Sequence, residues 1–220
     1  MPLKLFVDQL FDFGAVEVDA VNRFALKHVS EPSPYILNLR TPDNPGRRGP
    51  LTPPLLREMA KYLVSAAYVR GWRFNAVAGV PNAGVPIAEA FRDRCHALGE
   101  RYPLVRLEEH DGVMAVADFG HSVAGDYVLL IDDVATGGHD KLRAITALCN
   151  DGFAVRHALV VIDREQGAAR LLQSQEPPVE LGAVLGIRHL LELRGRKLSA
   201  ADRAEVLAYL KRQRERIPAR

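Results

Sequence analysis

Between Tyr127 and Leu148 the chain reads YVLLIDDVATGGHDKLRAITAL. An apolar run ends in two adjacent acids, turns through Thr-Gly-Gly and continues in a helical pattern. Asp132 and Asp133 repel each other, and neither can be buried in an apolar sheet without a partner. Carboxylates accept hydrogen bonds from hydroxyl groups and can hold a hydrated cation. The turn offers the complementary chemistry. Backbone N–H groups of Thr136, Gly137 and Gly138, followed by a helix N-terminus, form an electropositive nest for a phosphate, and glycine lets the chain turn tightly there. A phosphate nest beside acceptors for hydroxyl groups describes a ribose 5-phosphate.

The surrounding pattern supplies the elements that must hold this turn. NAVAGV (75–80) reads as a short buried strand, followed by the turn PNAG and the helix VPIAEAFRDRCHALG. YPLVRL, VMAVADF, DYVLLIDDV and VRHALVVID read as further strands, and DKLRAITALCNDG as a helix stopped by Gly152. Strands alternating with helices predict a parallel sheet covered on both faces, with ligands bound beyond the carboxyl ends of the strands. PNAG, DDVATGGHD and DREQG then share one rim. The backbone donors around Asn82 and Ala83 could cradle a second anion, such as pyrophosphate. A Pro/Gly-rich segment, RTPDNPGRRGPLTPP, separates an N-terminal segment (1–50) from the main body (51–220). Near the C-terminus, Ser199 and Asp202 form a capping-box pattern. Ala204, Val206, Leu207 and Leu210 follow it as the packing face of a last helix.

The totals exclude several classes. The 220 residues are 48% hydrophobic and 25% charged, with a formal net charge of +2. That balance argues against a nucleic-acid partner, and the basic C-terminal stretches read as solvated helix faces. Cys95 and Cys149 lack metal-site spacing and read as buried reduced thiols, which suits a cytoplasmic protein. No signal or membrane-spanning pattern is present, so the expectation is a soluble intracellular chain without a membrane partner.

The stretch YVLLIDDVATGG resembles the phosphoribosyl pyrophosphate (PRPP) motif of the type I phosphoribosyltransferases. Three further stretches are similar to those of the orotate phosphoribosyltransferases. ALKHVSEPSPYILNLR resembles an N-terminal segment with a lysine before a Ser-Pro-Tyr strand, VAGVPNAGVPIA a Gly-Val-Pro turn, and VVIDREQGA a late strand ending in Asp-Arg. The four occur in the family's order between about Phe24 and Ala168. The resemblance implies an α/β fold with a doubly wound, mostly parallel sheet and a small N-terminal cap contributing to a base site. It implies transfer of ribose 5-phosphate from PRPP to a base, orotate foremost, with release of pyrophosphate, Mg²⁺ as cofactor and a homodimeric assembly. By position, Asp132 and Asp133 hold the ribose hydroxyls, with Arg106 the third catalytic residue. Val134, Ala135, Thr136, Gly137, Gly138, His139 and Asp140 surround the 5-phosphate. Lys27, Asn82, Ala83, Arg106 and His110 meet PRPP elsewhere. Ile36, Leu37, Thr136 and Arg164 face the base, and no residue is assigned as a direct metal ligand.

Two stretches depart from the family pattern. Its mobile loop carries Arg-Lys-x-x-Lys-x-His, whereas this chain has VRLEEHDGV. Arg106 is kept, Leu107 and His110 replace the lysines, Gly112 replaces the histidine, and Glu108 and Glu109 add negative charge. Losing one preorganised donor to a developing anion costs roughly 10²–10³ in rate. The phosphate turn also lacks its closing hydroxyl residue, and Asp140 there is expected to turn away and cap its helix. These departures keep two alternatives open: a weak or inactive PRPP-binding regulator, and a phosphoribosyltransferase for another base.

Overall fold

A computed structural model describes residues 2–21, 24–25 and 31–215, apart from the side chains at 196 and 214. The chain begins with helix α1 (Leu3–Asp12). Two short antiparallel strands, β1 (Val16–Val18) and β2 (Tyr35–Leu37), follow it and pair Val16 with Leu37. The Pro/Gly-rich segment is a closed loop in which Gly49 N–H donates to Thr41 O and Leu51 N–H to Arg40 O. It leads into helix α2 (Pro53–Val69), whose two leading prolines sit where the backbone N–H has no helical acceptor to lose.

From there strands and helices alternate: β3 (Ala76–Gly79), α3 (Gly84–His96), β4 (Leu104–His110), β5 (Val113–Asp118), β6 (Tyr127–Ala135), α4 (His139–Asn150), β7 (Ala154–Asp163), α5 (Ala168–Gln173), β8 (Glu180–Gly186), α6 (Ile187–Arg194) and α7 (Ala200–Glu215). The central sheet has the order β5-β4-β3-β6-β7-β8. All its neighbours are parallel except β4 and β5. The chain winds outward from β3 to β4 and then returns to the other side of β3 as β6. β3 and β6 therefore flank the point where strand order reverses, and in open α/β sheets that crevice receives ligands.

Period-two alternation divides the sheet between two cores. Val77, Leu129, Ile131, Leu159 and Val161 pack with α2, α3 and the N-terminal segment, where Phe6, Leu10, Tyr35 and Leu39 join the same cluster. Ala76, Ala78, Leu130 and Ala158 face the opposite way onto Ala144 and Leu148 of α4 and Leu172 of α5. The C-terminal helix forms the first half of the expected capping box, with Asp202 N–H donating to Ser199 Oγ at 3.0 Å, while the Asp202 carboxylate accepts Ser199 Oγ at 2.7 Å and Ala20 N–H at 3.3 Å. It buries Val206, Leu210 and also Tyr209, while Ala204 and Leu207 of the expected face are exposed. Cys95 is buried as expected, but Cys149 is exposed, because the buried stripe of α4 runs through Lys141, Ala144, Ile145 and Leu148 and leaves position 149 outside it. Among the described residues, no helix is long and apolar enough to cross a membrane.

Candidate active site

The acid pair lies two residues before the end of β6, and the register of β6 against β3 fixes what lies beside it. Gly79 pairs with Ile131, and Val80 N–H donates to Ile131 O at 2.9 Å, so the turn Pro81–Gly84 sits directly over Asp132. The approach is too close for any side chain. A Cβ on Gly84 would stand 2.6 Å from Ile131 O and 3.1 Å from Asp132 Oδ1, and one on Gly79 would meet Gly84 O and Val85 Cα at 2.6 Å. Asn82 takes a left-handed conformation (φ 71°) to make the turn, with Ala83 buried beneath it. The two turns thus meet across the crevice between β3 and β6.

Both acids are buried, and they are held differently. Asp132 Oδ1 accepts the N–H of Asp133 at 2.8 Å, and Asp132 Oδ2 accepts the ammonium of Lys141 at 2.6 Å. Lys141 is buried too, and it donates a second bond to Val134 O at 2.6 Å. Asp133 Oδ1 accepts the N–H of Val134 at 2.6 Å. Among the described residues, its Oδ2 has no hydrogen-bond partner. Burial, reinforced by the charge of Asp132, pushes the Asp133 carboxyl up to about 7, against the pull of the Lys141 and Arg40 cations.

Beyond the acids, Gly138 adopts φ 90° and caps α4, and a Cβ there would come within 3.1 Å of Ala168 Cα. The N–H groups of Gly137 and Gly138 have no acceptor among the described residues, and the first turn of α4 leaves its own N–H groups unpaired. Thr136 O is taken by Ala168 N–H, and Arg164 N–H donates to Ala135 O, which locks the neighbouring DREQG turn against this nest. Asp140 does turn away, but toward an arginine rather than a cap: its Oδ1 accepts Arg143 Nη2 at 2.8 Å. His139 is exposed at the mouth.

The stretch that stands in for a mobile loop is a hairpin. β4 runs on past its last partner in β3 (Ala78↔Val105) and folds back at His110↔Val113 through a two-residue turn. Asp111 (φ 51°) and Gly112 (φ 80°) have the paired positive φ values that such turns require. Arg143 of α4 fixes this arm by donating to Glu109 Oε1 at 2.7 Å and to Gly112 O at 2.8 Å. Leu107 is a core residue of the arm. Arg106 is exposed and reaches Glu89 at 3.4 Å, while His110 is exposed beside Glu108.

On the base side, Arg164 is buried. Its guanidinium carbon lies 4.2 Å from the centroid of the Tyr35 ring, its Nη2 donates to Ser33 Oγ at 3.1 Å, and its buried Nε is unpartnered among the described residues. Ile36 and Leu37, as successive residues of β2, face opposite sides. Leu37 joins the main core, and Ile36 is buried outside that cluster. Lys27 lies outside the described residues.

Sequence reasoning missed Lys141 and Arg143. The signal for the first was a lysine on the apolar stripe of α4, three, four and seven residues before Ala144, Ile145 and Leu148. For Arg143 the local signal was Asp140 three residues earlier on the same helix, whereas its partners in the arm, Glu109 and Gly112, are distant in sequence.

A phosphate nest and an acid pair at the switch point of a doubly wound sheet define a phosphoribosyltransferase fold, and solved structures agree. The Leishmania donovani UMP synthase superposes with a TM-score of 0.77 at 26% identity, covering 96% of this chain and 43% of that one. The orotate phosphoribosyltransferase of Aeropyrum pernix gives 0.66 at 26% identity, covering 87% and 98%. Among sequence relatives, the Methanoculleus marisnigri orotate phosphoribosyltransferase is 33% identical over 183 residues, covering 83% of this chain and 95% of that one. That of Sulfolobus acidocaldarius is 31% identical over 153 residues, 64% of this chain, so the chain spans 66% of the length of that relative. No family model matches the chain. The chain belongs to the orotate phosphoribosyltransferase family.

Proposed function

We propose that the chain transfers ribose 5-phosphate from PRPP to orotate, releasing pyrophosphate. The observation that carries this reading is the Gly84 turn packed over Asp132 at the β3–β6 switch point, followed along the chain by Asp133, whose Oδ2 has no partner among the described residues, and by the unpaired N–H groups of Gly137 and Gly138. In this reading the nest and the α4 N-terminus take the 5-phosphate, Asp133 accepts the ribose hydroxyls, and the Asn82–Ala83 turn lies on the pyrophosphate side. As the bond from the anomeric carbon to pyrophosphate breaks, positive charge develops on the sugar. The buried carboxylates favour it, in a site where little water screens them. Arg164, braced by Ser33 and Tyr35, offers a cation to the carboxylate of orotate, and the segment before residue 50 caps the base.

Mg²⁺ enters this proposal as a companion of PRPP, neutralising the pyrophosphate oxygens. An ion there would draw most of its ligands from the pyrophosphate and from water. Among the described residues no three His, Cys, Asp or Glu side chains gather, and both oxygens of Asp132 are engaged. A cytoplasmic location and a homodimer complete the proposal, the latter checked by light scattering. The test is the loss of orotate absorbance on mixing protein, PRPP and Mg²⁺. Consumption of orotate, and not of uracil or adenine, is expected. Turnover of another base alone, or PRPP binding without any turnover, would overturn it.

A further inference from the structure

Lys141 is costly by every local rule. It is buried on a stripe that is otherwise apolar, and it stands in the first turn of α4, where the helix dipole disfavours a cation. Burying its ammonium forfeits hydration, and holding its long side chain in one rotamer costs entropy. An apolar residue would continue the stripe without these costs. What the lysine has instead is Asp132 Oδ2 at 2.6 Å and Val134 O at 2.6 Å. The other oxygen of Asp132 is held by the N–H of Asp133 and lies against the Gly84 turn. Each oxygen of Asp132 thus has a partner within the protein, whereas Asp133 Oδ2 has none among the described residues.

We infer that Lys141 is a positioning residue, the built-in counter-cation of the acid pair, which lets this rim take up a sugar phosphate without a divalent ion. The inference rests on the reading of the rim as a sugar-phosphate site and deepens it. Lys141 removes one unit of net negative charge from beside the acid pair, in addition to the pull of Arg40 on Asp133, so an incoming phosphate meets less repulsion. The arm contributes no free lysine, and its Glu109 is occupied by Arg143, so the neutralising charge comes from beneath the acids.

Ribose 5-phosphate is the probe, because it lacks the pyrophosphate that carries its own Mg²⁺. Calorimetric titration of the wild-type protein should give dissociation constants within about threefold of each other in EDTA and in Mg²⁺. Lys141→Met should bind at least about tenfold more weakly in EDTA and recover to within about threefold when Mg²⁺ is supplied. A purely structural role would show no such rescue. Lys141→Gln, which keeps a donor and loses the charge, should behave in the same way and serves if the Met variant does not fold. Wild-type binding that requires Mg²⁺, or variants that bind as the wild type does in EDTA, would overturn the role of Lys141 alone. No wild-type binding under either condition would overturn the reading of the rim itself, and this inference with it.

Discussion

Replacing Asp133 with asparagine separates what this acid does for the fold from what it does for the ligand. The carboxyl is pushed from 3.8 to about 7, first by burial and then by the charge of Asp132. At 1.36 kcal/mol per unit, keeping it ionised in the folded protein costs on the order of a few kcal/mol relative to the unfolded chain. The folded pKa lies above the unfolded one, so between about pH 4 and about pH 7 the folded state holds more protons. Stability from this group is full at the acid end of that window, falls as pH rises through it, and levels off above. Asparagine keeps the shape and carries no charge. Urea denaturation should therefore show wild type and Asp133→Asn close near pH 4, and the variant ahead by on the order of a few kcal/mol near pH 8. Asp8, held at about 2 by Lys197, Lys4 and Arg194, titrates below this window and cancels in the difference. The same variant should lose PRPP binding. A stability difference that stays constant with pH, or a variant that is less stable throughout, would refute the reasoning.

Gly138→Ala forces a side chain into a left-handed conformation 3.1 Å from Ala168 Cα. Thermal and urea unfolding should show a loss of about 1–2 kcal/mol, together with weaker PRPP binding by calorimetry. In the arm, Leu107→Lys should destabilise by about 3 kcal/mol, because Leu107 is a core residue. His110→Lys, on an exposed side chain, should leave unfolding within about 0.5 kcal/mol of wild type, and stopped assays should show turnover about tenfold higher. Arg164→Ala should raise the KM for orotate by roughly a hundredfold while leaving the affinity for PRPP unchanged, as steady-state kinetics and calorimetry would show.

The rim was legible from local pattern. Apolar runs ending in polar turns located β3, β6 and β7, and the glycines at 84 and 138 fall in the turns expected from sequence, where the structure shows that only glycine fits. The six-stranded order and the antiparallel β5 were not legible, since register depends on pairing between distant segments. β8 is not legible because its run, ELGAVLG, is broken by an internal glycine and lacks a polar turn after it. Resemblance to the family implies a loop at the arm, although Asp111-Gly112 between two alternating runs is a hairpin signal in its own right. The expectation that the acids need partners was sound for Asp132. The partner, Lys141, lies nine residues on, and only the fold of the turn brings it back.

The most direct measurement is a crystal structure of the protein with PRPP. The account predicts the 5-phosphate within hydrogen-bonding distance of the Gly137 and Gly138 amides, and the ribose hydroxyls on Asp133, with Asp132 still bound to Lys141. PRPP bound with its phosphate away from this turn, or a crevice left empty at saturating PRPP, would contradict it.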